Sequence, residues 1–201
     1  MGSLFKAQPA CIMKENNLNI QDLQQRIAVY EDETAYKQLF FHLFPSLQNF
    51  AYSIIKSREQ AEEIASDIFI TVWMKRSSLM SIENLKLYLF ISVRNASVKK
   101  LNQEKKKADG LFLDEMAVEF ISDYANPEES MVFNEIEKKI KSAIRELPPR
   151  CQLIYKLAKE ENMRYKDISQ LLDLSIKTID NQLAIAVKKI ASVVKFEKEK
   201  K

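Results

Sequence analysis

Glycine is nearly missing from this sequence: two in 201 residues. With only five prolines, the turn chemistry for a many-stranded β architecture is absent, and so is a glycine-rich loop to cradle phosphates. The two cysteines, Cys11 and Cys151, lie far apart, which fits reduced thiols better than a disulfide. His42 is the single histidine. One histidine and two distant cysteines form no ligand cluster, so no metal site is expected. No pair of carboxylates falls in an acid/base motif. No apolar run approaches the ~20 residues of a membrane span, and the N-terminus lacks the basic start and apolar core of a signal peptide. These absences speak against a metal or nucleotide enzyme. They predict no catalytic residue, no cofactor, no membrane insertion and a cytoplasmic location.

What is present is helical. Hydrophobic residues make up 46% and charged residues 29%, the balance of a globular chain. Long periodic runs of Leu, Ile, Ala, Lys and Glu predict an all-α fold. The length allows one large or two small domains. The net charge of +3 is modest, but it is unevenly spread. Residues 94–107 hold six bases and one acid, and residues 108–137 hold nine acids and no base. From 138 onward there are 16 bases against 8 acids. Two basic segments around an acidic one suggest two nucleic-acid-facing modules and an acidic connector.

Residues 1–12 show no helical period, and Met13 looks the more natural start. We expect the first twelve to be a tag remnant or an upstream-start artefact. Residues 18–30 read as a short amphipathic helix through Leu23, Ile27 and Tyr30. A longer helix opens at Asp32-Glu33-Thr34. Pro45 falls inside it, so a kink or brief break is expected there. His42 reads as a surface or boundary residue. After Ser57, the residues Ala61, Ile64, Ala65, Ile68, Phe69, Val72 and Trp73 form one stripe. Glu62, Glu63 and Asp67 lie off its centre, as a solvated face or a protein-docking surface. In the next helix, Leu85, Leu89, Ile91, Val93, Ala96 and Val98 are expected to be buried. Basic residues mount toward its C-terminal end: Arg94, Lys99, Lys100 and residues 105–107. The helix dipole accounts for some of them but does not require six. Tyr88 and Phe90 share this helix, and aromatic rings beside positive charge suit unstacked bases. Residues 108–130 read as a flexible acidic linker. An amphipathic helix follows and ends at Leu147-Pro148-Pro149-Arg150, and a short one covers 151–159.

Residues 165–190 read as a helix-turn-helix. Ile168, Leu171 and Leu172 line the first helix. The turn at Asp173-Leu174 has no glycine, but Asp tolerates the left-handed region better than most residues. Ser175 is placed as an N-cap. The second helix sets Ile176, Ile179, Leu183, Ala186, Val187 and Ile190 on one stripe. Lys177, Thr178, Asn181, Gln182 and Lys188 lie opposite, where they can reach phosphates and base edges in a major groove. An ordinary helical hairpin in an all-α core remains the alternative for this stretch alone.

The order of these pieces resembles the two-domain bacterial RNA polymerase sigma factors of the extracytoplasmic-function type. Residues 61–73 resemble the family's region 2.2, residues 85–96 its regions 2.3 and 2.4, and residues 146–190 its region 4. Asp180-Asn181-Gln182-Leu183-Ala184-Ile185-Ala186 is most similar to the Bacteroidetes branch that groups with ferric-citrate regulators. The resemblance implies two helical domains, 18–107 and 131–195, joined by the linker 108–130. It implies that Glu63, Asp67, Phe69 and Trp73 dock on the β′ clamp helices of core polymerase, with the β flap as a further contact. It implies that Tyr88, Arg94, Asn95, Lys99 and Lys100 bind and melt the minus-ten element. Ser175, Lys177, Thr178, Asn181, Gln182 and Lys188 would read the minus-thirty-five element. Lys99 and Asn102 depart from the family's usual Asp and Arg, and Ile185 stands where relatives often carry Arg. A membrane-anchored anti-sigma factor is the partner the family suggests. Two other readings stay open. One is a stand-alone helix-turn-helix regulator with an N-terminal sensor or dimerisation domain. The other is a helical adaptor with no nucleic-acid role.

Overall fold

A computed structural model of the chain describes residues 19–107 and 135–198, with side chains over 19–103 and 138–192. The expectations for residues 1–12 and for the linker 108–130 fall outside the described residues. Among those residues the regular elements are helices. They are α1 (Ile20–Tyr30), α2 (Glu33–Ile55), α3 (Arg58–Met74), a 3-10 segment (Arg76–Ser81), α4 (Leu85–Lys107), α5 (Glu135–Arg145), α6 (Pro149–Lys159), α7 (Tyr165–Leu172) and α8 (Ile176–Lys198). The all-α expectation holds, as two helical groups, α1–α4 and α5–α8.

Side chains start these helices. Asn19 accepts from the Gln21 and Asp22 amides, and Asp32 from those of Thr34 and Ala35. Ser57 caps α3 and Asn84 caps α4. Each cap satisfies amides that the helix itself leaves unpaired. The ends are the more unusual feature. Glu31, Lys56 and Asp173 close α1, α2 and α7 in the left-handed region, at φ 52°, 63° and 54°. Asn162, between α6 and α7, does the same at 51°. Glycine is the usual residue there. A chain with two glycines makes these turns with acidic, amide and lysine side chains instead, at a cost of about 1 kcal/mol each.

Pro45 does not break α2. Leu39, Leu43, Leu47 and Phe50 are buried on both sides of it, which keeps the helix in register. Pro45 and Phe41 are exposed, on the side of α2 away from that buried row. In the N-terminal group α2 packs against α3 and α4. Phe40 stacks on Phe44 at 4.6 Å and meets Phe69 edge-on at 4.9 Å. The Tyr36 hydroxyl donates to the Phe69 carbonyl at 2.9 Å.

Two apolar stripes are corrected. On α4 the buried set includes Leu87 and Phe90. Phe90 packs against Phe50 at 5.3 Å and offers no ring to a base, because α4 is covered on more than one side. Among the described side chains of α8, Ile179, Leu183 and Ala186 are buried, whereas Ile176 and Val187 are 51% and 49% exposed. Among the described residues α5, α6 and α7 pack against α8, and this packing leaves Ile176 and Val187 uncovered.

The two groups share a core. Leu153, Ile154, Leu157, Ile168 and Leu171 belong to the same buried cluster as Phe50, Ile54, Leu89 and Val93. The helix α7 lies against α4.

Candidate nucleic-acid interface

The C-terminal candidate surface begins at the turn before α8. Asp173 in the left-handed region ends α7, and its amide donates to the Ser169 carbonyl. The Ser169 hydroxyl also donates to the Leu174 carbonyl, which fixes the turn that glycine would otherwise make. Ser175 Oγ then accepts from the Thr178 amide at 3.0 Å, and the two hydroxyls lie 2.8 Å apart. Below, Ile179, Leu183 and Ala186 seat α8 in the core. Above, Lys177, Asn181, Ile185 and Lys188 are exposed at helical spacing and share one face. Thr178 and Gln182 flank that face, half-buried. The Gln182 carbonyl accepts from the Cys151 thiol at 3.1 Å. Burial pushes that thiol above its ordinary pKa, so it stays protonated and unreactive at neutral pH.

The N-terminal candidate surface lies on α4. Tyr88, Asn95 and Lys99 are exposed. Lys100 is paired with Glu63 on α3. Arg94 does not stand free. Its Nη1 donates to the Leu171 carbonyl at 2.7 Å, and Nε and Nη2 reach Asn95 Oδ1 at 3.4 and 3.3 Å. Leu171 lies in the last turn of α7, where carbonyls lack helical partners and carry the negative end of the dipole. Arg94 therefore caps the first helix of the helix-turn-helix.

The residues expected to dock on a protein separate. Glu63 and Asp67 are exposed on α3. Trp73 is half-buried, with the Arg76 guanidinium 4.9 Å from its ring centre. Phe69 is 1% exposed. It packs with Tyr36, Phe40 and Phe44, so it presents no surface to a partner and is a core residue.

A groove of about 830 Å³ runs between the two groups. Phe50, Ile54, Val98, Leu153 and Leu172 floor it, and Arg94, Asn95, Lys99 and Asp173 stand among its polar lining. Other ties between the two groups use residues that the sequence did not single out. Lys86 Nζ contacts Glu161 Oε2 at 2.8 Å and donates to the Glu161 carbonyl at 2.6 Å. The Ser46 hydroxyl donates to the other Glu161 oxygen. Asn84 Nδ2 reaches Asp167 Oδ2 at 3.4 Å. These partners are 75 to 115 residues apart in the chain, so no local pattern announces them. Among the described residues no three His, Cys, Asp or Glu gather into a metal-binding group. No described helix is long and apolar enough to cross a membrane.

Residues 137–190 match the family model "Sigma-70, region 4". That span runs from within α5 well into α8 and includes every candidate residue of the C-terminal surface. The chain is 22% identical over 172 residues to the ECF RNA polymerase sigma factor RpoE of Cereibacter sphaeroides, covering 84% of this chain and 91% of that protein. Among solved structures it is similar to the sigma factor RpoE in complex with the anti-sigma factor NepR from Bartonella quintana. That match has 21% identity and a TM-score of 0.49, over 80% of this chain and 96% of the other. CnrH in complex with the cytosolic domain of CnrY is also similar, with 13% identity and a TM-score of 0.47, over 88% and 98%.

Proposed function

We propose that this chain is an RNA polymerase sigma factor of the extracytoplasmic-function type and that it acts by binding, with no catalytic step of its own. It joins core polymerase, reads the minus-thirty-five element with α8, engages the minus-ten element with α4, and promotes strand opening. One observation carries this reading. The span that matches region 4 coincides with a capped helix-turn-helix whose second helix turns Lys177, Asn181 and Lys188 to solvent. Such a helix fits a major groove, with Asn181 suited to adenine and the lysines to phosphates. On α4, exposed Tyr88 offers a stacking platform, and Asn95 and Lys99 offer polar and positive contacts. Unstacking a base costs a few kcal/mol, which such a surface can return. On α3, Glu63 and Asp67, with the rim of Trp73, are the proposed contacts to the β′ clamp helices. The β flap is the proposed contact of the C-terminal group.

The finer assignments belong to the same proposal. Residues 180–186 support the Bacteroidetes, ferric-citrate-regulator-like branch. The family resemblance supports a cytoplasmic protein held by a membrane-anchored anti-sigma factor. In vitro transcription from genomic fragments with core polymerase tests the central reading. Transcripts are expected only when the chain and core are combined. No added transcript with both present, or duplex binding by the chain alone that is as specific as that of the mixture, would overturn it.

A further inference from the structure

We propose that Ile185 is a specificity-determining residue of α8, whose aliphatic side chain reads the 5-methyl group of a thymine in the minus-thirty-five element. This rests on the reading above, in which α8 enters the major groove, and it names what one base of that groove must be.

A single exposed aliphatic residue is ordinary on a protein surface. The position of Ile185 is what matters. The core contacts of α8 are made by Ile179, Leu183 and Ala186, which are 0%, 4% and 0% exposed. Ile185 lies on the other side of the helix and is 50% exposed, so packing does not account for it. It shares its face with Lys177, Asn181 and Lys188, at successive steps of four, four and three residues. Exposed Val187, two residues further on, lies nearly opposite Ile185 round the helix.

A helix that lays this face in a major groove brings Ile185 to the base edges together with Asn181. Lys177 and Lys188 stand about 16 Å apart along the helix axis. They bracket the pair and suit the phosphates on either side. The Asn181 amide both donates and accepts, which matches N6 and N7 of adenine. The Ile185 side chain does neither. In the major groove adenine, guanine and cytosine present polar groups and no methyl group. An aliphatic side chain against those groups strips their water and returns no hydrogen bond. Thymine alone adds a methyl group there. Ile185 therefore favours thymine by apolar contact and penalises the other bases by desolvation. Helix geometry sets the place as well. Four residues rise about 6 Å and base pairs stack about 3.4 Å apart, so the thymine falls within about two base pairs of the adenine that Asn181 reads.

The full chain bound to core polymerase tests this by selection from promoter DNA randomised across the minus-thirty-five element. Wild type should enrich an adenine whose preference is lost in Asn181→Ala, with a thymine within about two base pairs of it. Deoxyuridine at that thymine removes the methyl group alone. It should weaken binding of the wild-type holoenzyme about threefold to fivefold, the scale of one buried methyl group. Ile185→Ala should bind the thymine and uracil promoters equally, and Val187→Ala should discriminate as wild type does. Ile185→Arg should select guanine at the same position, because arginine pairs with its O6 and N7. Ile185 and Val187 are half exposed, so none of these substitutions opens a cavity in the core. No thymine near that adenine, no cost of uracil in wild type, an equal cost in Ile185→Ala, or thymine kept by Ile185→Arg would overturn the role of Ile185. An enriched element indifferent to Ile185 sinks this inference alone. If the wild-type holoenzyme enriches nothing beyond core polymerase, the proposed function fails and this inference fails with it.

Discussion

Lys100 on α4 is ion-paired with Glu63 on α3. A residue proposed to face DNA and one proposed to face polymerase hold each other in the free chain. Glu63 is 60% exposed, so the pair is worth under about 1 kcal/mol of stability. A double-mutant cycle of Glu63→Gln and Lys100→Met in urea melts should return a coupling no larger than that. In function the two should part. Glu63→Gln is expected to weaken core binding, and Lys100→Met to leave core binding intact but slow promoter opening. Equal losses in both assays from both variants would count against the assignment.

Gln24 is buried in α1, and its amide donates to the carbonyls of Leu79 at 2.6 Å and Ile82 at 2.8 Å. It closes the 3-10 segment against α1. Gln24→Leu leaves two carbonyls without their donor and should cost about 1–3 kcal/mol in thermal or urea melts. The exposed neighbour is the control: Gln25→Leu should stay within about 0.5 kcal/mol.

Lys56 ends α2 at φ 63°, where a side chain is strained and glycine is not. Lys56→Gly should raise stability by up to about 1 kcal/mol, the size of that strain. A loss of stability would mean that the Lys56 side chain contributes more than its backbone costs.

Burial, then the charge of Lys86, pushes the pKa of His42 below its ordinary value, with Glu161 opposing. The unfolded chain then takes up a proton at higher pH than the folded one. The stability this histidine contributes is full above pH about 6.5 and falls as pH drops below it. His42→Gln should flatten that part of the profile in melts between pH 7.5 and 5. An unchanged slope would show that other groups govern it.

Asn181→Ala should weaken use of a cognate promoter by about 1–3 kcal/mol, the scale of one good base contact. Lys99→Glu should impair opening while minus-thirty-five binding is kept. Footprinting and permanganate reactivity on the same promoter separate the two effects. Equal loss of both in Lys99→Glu would contradict a division of labour between α4 and α8.

Most of the helices were legible because they rest on local signals. Ser57 and Ser175 each precede a periodic run, and each caps the helix that follows. Asp173 was legible as the substitute for glycine and takes the left-handed conformation. The stripes were less legible. Ile176 and Val187 have the spacing of a core face, but the neighbours that would cover them are set by how α5, α6 and α7 pack. Phe69 and Phe90 have the chemistry of contact residues but lie in the core, because each helix meets more than one neighbour. Pro45 signals a kink or a brief break, yet α2 runs unbroken through it, with buried residues on both sides.

By itself the sequence determined the helical class, the capped turns, the two basic segments and the side chains offered on α8. Those depend on period, on capping chemistry and on charge, which are properties of neighbours along the chain. Tertiary structure alone decided the meeting of α4 with α7. Arg94 with Leu171 and Lys86 with Glu161 join positions more than seventy residues apart. Such pairs form only where packing brings two helix ends together, and no spacing within either helix encodes them.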